Sequence, residues 1–205
     1  MPFSKFFTFS IFDMRISLIH LAQQSVQKVL LPGDYAIDAT MGNGHDTLFL
    51  ARIVGEQGKI FAFDIQSNAL ELTHARLKKN LISAPVSLNL CSHGKLLQCI
   101  PTSYIGKIKA IMFNLGYLPG SDKSIKTIPE ETVKALSEAL VLLSTTGCIS
   151  IVVYTGHPGG LEEANAVRNW LGKVSEEKFE REITILSGRC NPPELIVISP
   201  RPERR

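Results

Sequence analysis

The chain has 205 residues, 44% of them hydrophobic and 20% charged, with a formal net charge of +3. That length holds one well-buried domain without requiring two, and the composition excludes the disordered and fibrous classes. The mild basicity permits a nucleic-acid partner but is too small to specify one, and the scattered cysteines Cys91, Cys99, Cys148 and Cys190 form no C-x-x-C pair, so they read as free thiols rather than metal ligands or a disulfide framework.

At the N-terminus, Phe3, Phe6, Phe7, Phe9 and Phe12 cluster behind Lys5 in the manner of a secretory leader. Asp13 and Arg15 break that run, no small-residue cleavage site follows, and no stretch approaches the roughly 18 apolar residues of a membrane span. The expectation is a cytoplasmic protein in which residues 1–13 are an extension, Met14 is the natural start, and 14–31 form a first helix ended by Pro32-Gly33. Beyond it, β-branched runs at 35–39, 59–64, 86–90, 108–114, 148–155, 179–186 and 194–199 read as strands. Amphipathic segments at 46–54, 67–80, 93–99, 130–144 and 160–173 read as the intervening helices. This β-α-β-α rhythm predicts a mostly parallel sheet covered on both faces. Only Ser187 to Pro193 separate the last two strands, which predicts an antiparallel hairpin at the sheet edge. Seven strands ending in such a hairpin match the Rossmann-like arrangement of class I methyltransferases, in a single domain spanning 1–205.

The chemistry-bearing segments fall after the strands. "DATMGNGHDT" (38–47) places Gly42 and Gly44 between the first strand and a helix, where a ligand approaches bare backbone and free N–H groups. The dinucleotide pattern G-x-G-x-x-G ends here in Thr47 instead of a third glycine, which disfavours a nicotinamide cofactor. Asp38 would repel a phosphate and suits an ammonium or sulfonium, both of which S-adenosylmethionine carries. Asp64 ends the second strand, 64 − 44 = 20 positions after Gly44, where a carboxylate accepts ribose hydroxyls. The alternative for both aspartates is a strand-end cap. "FNLGYLPG" (113–120) carries Asn114 and Tyr117 as N-x-x-Y, similar to the [DNS]-P-P-[YFW] motif of amino-group methyltransferases with Leu-Gly in place of Pro-Pro. There the Asn oxygen accepts from the target nitrogen and the ring stacks on a base, and a plain turn with a packed tyrosine is the alternative. "TGHPGGLEEA" (155–164) puts His157 and Gly159-Gly160 on the same sheet edge, His157 being either a proton acceptor or a helix cap. Ser92-His93 stands equally between contact with an adenine edge and a cap, His45 borders the same site, and Asp122 and Lys123 lie in a polar loop facing either substrate or solvent.

With those residues in place, the chain resembles the bacterial rRNA-methylase family of the YtqB type, whose members include tRNA 5-(aminomethyl)-2-thiouridine methyltransferases acting on the wobble uridine. The likeness runs from about Ser17 to Ile198 and is carried, in order, by "DATMGNGHDTLFLA", "FDIQ", "SHG", "FNLGYLPGSDK", "VVYTGHPGG" and "EEA". It implies S-adenosylmethionine as cofactor, S-adenosylhomocysteine as product and no metal. It also implies a cofactor side of Asp38, Thr40, Gly42, Asn43, Gly44, Asp46, Asp64, Gln66, Ser92, His93 and Asn114. Tyr117, Asp122, Lys123, His157 and Gly159 then face the substrate, with Asn114, Tyr117 and His157 catalytic. The implied partner is a tRNA anticodon loop, as monomer or homodimer. One departure is "GRCNPPEL", in which Arg189 and Cys190 replace the family's Asn-Gln type stretch before Pro-Pro, so that Arg189 is placed to bind phosphate. The competing readings are an rRNA or small-molecule methyltransferase with the same cofactor half, and an inactive cofactor-binding module associated with RNA.

Overall fold

A computed structural model of the chain describes residues 4–9, 17–116, 127–186 and 191–202. Eight strands form one sheet: β1 (Ser4–Phe9), β2 (Tyr35–Asp38), β3 (Lys59–Asp64), β4 (Val86–Leu90), β5 (Ile108–Leu115), β6 (Leu143–Val153), β7 (Phe179–Leu186) and β8 (Glu194–Pro200). Their order across the sheet is β1-β7-β8-β6-β5-β2-β3-β4. Every neighbouring pair is parallel except β8 against β6 and β7. The helices are α1 (Leu18–Gln27), α2 (His45–Val54), α3 (Ser67–Lys79), α4 (Leu96–Cys99), α5 (Pro129–Leu142) and α6 (Gly160–Leu171).

The seven expected strands and their hairpin are present, with three differences. Residues 4–9 are not outside the fold: β1 pairs with the outer side of β7, Ser4 opposite Arg181 and Phe9 opposite Leu186. The hairpin therefore does not close the edge, and β8 lies inside the sheet between β6 and β7. An aromatic run whose only strand partner lies more than 170 residues onward gives no local sign of pairing. The first helix begins at Leu18 rather than 14, and β6 begins at Leu143 because α5 stops two residues early, where Leu143 takes extended backbone angles. Met1 and Met14 lie outside the described residues.

Both faces of the sheet are buried. Leu18, Val26, Leu48, Leu50 and Leu77 pack on one side with Ala36, Ile60 and Val152, while Leu96, Leu136, Val167 and Trp170 pack on the other with Ile37, Phe63 and Phe113. Burial on both faces explains why β3 and β5 read as continuous apolar runs rather than alternating ones. The turn from β2 into α2 relies on Gly44 at a φ of +74°, a left-handed angle that costs a side chain about 1–2 kcal/mol. Gly44 also abuts α3: a Cβ there would meet Thr73 Oγ1 at 2.7 Å and Thr73 Cα at 2.9 Å. Gly44→Ala is therefore expected to destabilise by more than the backbone penalty alone, because a Cα cannot swing aside. Each kcal/mol lost lowers Tm by roughly 2–4 °C for a chain of this size, which differential scanning calorimetry reads directly.

Candidate active site

The site follows from strand register. Asp38, the last residue of β2, pairs with Ala62 on β3 and Met112 on β5, so both neighbours run on to Asp64 and Asn114, two residues beyond it. From β2 the chain runs outward through β3 to β4 and then crosses back to β5 on the other side of β2, and the crevice at such a switch point is where open α/β sheets take ligands. The loop after Asp38 is stitched to both neighbours: Ala39 N–H donates to Met112 carbonyl and Met41 N–H to Phe63 carbonyl, each at 2.9 Å. The crevice opens into a cleft of about 740 Å³.

Of the sequence-predicted cofactor residues, Thr40, Gly42, Asn43, Asp46, Asp64, Gln66, Ser92, His93 and Asn114 line this cleft, as does His45. Asp38 and Gly44 do not line it. Asp38 is 0% exposed and lies behind the wall, where Thr47 Oγ1 donates to it at 2.6 Å and Thr40 N–H at 3.2 Å. The sequence expectation of direct contact between Asp38 and a cation is corrected accordingly: its carboxylate is taken up in holding the loop. Gly44 is filled against Thr73 rather than open to a ligand.

Unlike Asp38, Asp46 in the first turn of α2 faces the cleft. It accepts from Gln23 Nε2 at 2.8 Å and from Asn114 Nδ2. Because Asp46 demands a donor, the Asn114 amide is turned with its nitrogen toward Asp46. Its Oδ1 is buried and has no hydrogen-bond partner among the described residues. The Asn114 backbone N–H donates to Thr40 Oγ1 at 2.7 Å, fixing the end of β5 against the loop. Asp64 receives Gly42 N–H at 3.0 Å and Gln66 N–H at 2.9 Å, one on each oxygen, and each oxygen keeps a lone pair.

Across the cleft, Ser92 Oγ accepts from Gly94 N–H at 3.1 Å and donates to Glu131 at 2.5 Å, so it caps the short turn at His93–Lys95 as well as facing the cleft. His93 is buried with its ring edge-on to Phe113, centroids 6.0 Å apart. Burial holds its imidazole below the ordinary value, opposed by a hydrogen bond with the Ala39 backbone and by the Glu131 charge. Beside Ser92, the Cys91 and Cys99 sulfurs lie 3.2 Å apart as free thiols, and burial, then the neighbouring thiol, push Cys91 up to about 11.

His157 and Gly159 stand at the rim rather than in the lining. His157 Nε2 is 3.4 Å from the point a Cβ on Gly116 would occupy, which puts the ring next to the cleft-lining Gly116. Gly159 takes a φ of +84° as it starts α6. Tyr117, Asp122, Lys123, Arg189 and Cys190 lie outside the described residues.

Sequence reasoning missed Ile19 and Gln23 of α1, Glu131 of α5, Tyr154 and Arg76. Tyr154 lines the cleft, and burial, then the Asp46 charge, push its hydroxyl above the ordinary value. Arg76 donates through Nε to Asn43 carbonyl at 2.6 Å and lies 3.0 Å from His45 Nε2. Only Tyr154 had a legible signal, since it directly precedes the "TGHPGG" segment at a strand end. Among the described residues no group of three or more His, Cys, Asp or Glu side chains is placed to hold a metal ion, and no helix is long and apolar enough to cross a membrane.

The order β4-β3-β2-β5-β6-β8-β7, with β8 antiparallel and a glycine-bearing cleft at the switch point, defines the Rossmann-like methyltransferase fold. Residues 60–199 match the family described as "Putative rRNA methylase", and the chain belongs to that family. A crystal structure titled as an rRNA-methylase of this kind, from Clostridium thermocellum, has a TM-score of 0.86 and 38% identity, covering 91% of this chain and 98% of that one. A Streptococcus mutans methyltransferase solved in complex with SAH has a TM-score of 0.80 and 33% identity, covering 91% and 99%. The chloroplastic tRNA (mnm(5)s(2)U34)-methyltransferase of Arabidopsis thaliana is 41% identical over 150 residues, which make up 69% of this chain and 54% of that protein. The match thus spans about half the length of that curated relative.

Burial raises Asp38 from 3.8 to about 7, with the Asp46 charge adding to the rise and the bonds from Thr47 and Thr40 opposing it. The folded protein then holds a proton that the unfolded chain releases near pH 4, so stability is full below that pH, falls as pH rises to about 7, and is level above. Asp38→Asn is expected to lower Tm overall, since an amide cannot accept on both sides, yet to flatten the Tm-against-pH slope across this window. An unchanged slope would assign it to other groups.

Proposed function

We propose that the chain is an S-adenosylmethionine-dependent N-methyltransferase acting on the 5-aminomethyl group of the wobble uridine in the single-stranded anticodon loop of tRNA. The observation that carries this reading is the Asn114 amide, locked by Asp46 so that its unpaired Oδ1 remains as an acceptor at the cleft end of β5. Family membership and the tRNA methyltransferase named among the relatives support the same reaction class.

The residues fit the cofactor by the chemistry of their donor set. Asp64, with a lone pair left on each oxygen, suits the ribose hydroxyls, and Asp46 supplies a negative field for a sulfonium and an ammonium. Ser92, His93 and Gln66 supply polar edges for the base. When bound, the cofactor would supply an electrophilic methyl group on its sulfonium, open to in-line attack by a neutral amine with the neutral thioether as leaving group.

The chain's own work is deprotonation and aim. An alkylammonium has a pKa of about 10, so it must lose a proton before it attacks. Asn114 Oδ1 accepts an N–H of the amine and points the remaining lone pair along the line of attack. His157, beside Gly116, takes the proton, with Asp122 the alternative acceptor. Tyr117 stacks on the uracil ring, and Lys123 and Arg189 meet phosphates.

Mass spectrometry of nucleosides from tRNA bearing 5-aminomethyl-2-thiouridine, after incubation with the protein and S-adenosylmethionine, tests this directly. A gain of one methyl at that nucleoside is expected. No gain with S-adenosylhomocysteine binding intact overturns the substrate and redirects the search to ribosomal RNA. Asn114→Ala is expected to lower kcat by about 10²–10³-fold, the cost of one transition-state acceptor, while the Kd for S-adenosylhomocysteine moves only a few-fold. Equal losses in both would remove Asn114 from the chemistry.

A further inference from the structure

Glu163 is 1% exposed, lines no part of the cleft, and sits in the first turn of α6, where the helix dipole favours a negative charge. Both of its oxygens are bonded to hydroxyls, one from the cleft-lining Thr127 and one from Thr132 behind the lining: Thr127 Oγ1 donates to Oε2 and Thr132 Oγ1 to Oε1, each at 2.6 Å. These threonines reach different cleft-lining residues. Thr127 N–H donates to Gly116 carbonyl at 2.9 Å, so one arm holds Gly116, two residues past Asn114, against the chain entering α5. Thr132 Oγ1 lies 3.4 Å from His93 Nε2.

A buried carboxylate carries a desolvation cost that an apolar residue here would avoid. Packing alone gives no reason for it, whereas a group that must accept two hydroxyls from two directions does.

We propose that Glu163 is a positioning residue that sets both walls of the cleft at once, holding Gly116 through Thr127 and the His93 ring through Thr132. This rests on the methyltransferase reading above. Removing one arm at a time separates the two effects. Thr127→Val cuts the Gly116 arm and lowers kcat by about 10- to 100-fold, the scale of a small misplacement of reacting groups, at unchanged affinity for S-adenosylhomocysteine. Thr132→Val cuts the His93 arm and weakens that affinity by up to about tenfold, the size of one neutral hydrogen bond. Glu163→Ala does both, and adding Thr127→Val to it costs nothing further in kcat, because the two act as one unit. Thr127→Ser, which keeps the hydroxyl, restores the parent values.

The experiment combines kcat and KM on tRNA, calorimetric titration with S-adenosylhomocysteine, and NMR of the ligand-free protein, comparing the parent with Glu163→Gln in case the alanine variant fails to fold. The Gly116 amide and His93 ring ¹⁵N resonances are expected to move in Glu163→Gln without any ligand present. If they move while no tRNA is methylated, the reaction assignment falls and the positioning role stands. If they stay, or if Glu163→Ala lowers Tm with neither kcat nor affinity affected, the positioning role is overturned. Full multiplication of the Thr127→Val and Glu163→Ala losses would overturn it as well.

Discussion

The carboxylate of Asp38 is the point from which the cleft hangs. It ends the strand with sheet neighbours on both sides at the switch point, is sealed from solvent, and ties Thr40 at the start of the following loop to Thr47 in the first turn of α2. With both ends of a seven-residue interval fixed to one group, the glycine-bearing segment between has little freedom left. The rest follows by contact: the Thr40 hydroxyl receives the backbone of Asn114, and Gly42 reaches the carboxylate of Asp64. Three strand ends are thereby held in one register, two of them two residues beyond the third.

The cleft is acidic within a chain whose net charge is +3. Asp46 and Asp64 line it and Asp38 stands behind, and burial, with repulsion from Asp46 and Asp64 adding to it, displaces Asp38 upward. Holding carboxylates this close costs stability unless a cation joins them, so binding of a positively charged ligand relieves a strain that folding has built in. Of the basic residues in the last turn of α3, Arg76 reaches the cleft loop at Asn43 and His45, while Lys78 and Lys79 are not among the lining residues.

Much of this was legible in the sequence because it is local. Strand, turn and helix follow each other within a few residues at 38–47, and the carboxylate ending β3 and the asparagine near the end of β5 can be read from their place after apolar runs. What could not be read depends on partners far along the chain. Gly44 looks open for a ligand until Thr73, 29 residues away in sequence, is seen packed on it. Gln23 belongs to an ordinary amphipathic helix, and nothing in its surroundings says that its amide will meet Asp46. Asp38 and Asp46 could not be told apart by spacing, because which of them faces outward is set by the twist of a turn rather than by residue type.

Strand order also constrains the sequence of events in which the sheet is assembled. β8 is the last strand in the chain, yet it lies between β6 and β7, and β1 pairs with β7. Everything from β2 to β6 can close as the ribosome delivers it, since each parallel crossover joins strands already made. β7 cannot attach to that body until β8 arrives to bridge them, and β1 cannot take its place in the sheet until β7 has emerged. A chain of this topology therefore spends most of its synthesis with its first strand unpaired and docks three strands, β8, β7 and β1, onto β6 in a late step that includes contacts of very high sequence separation.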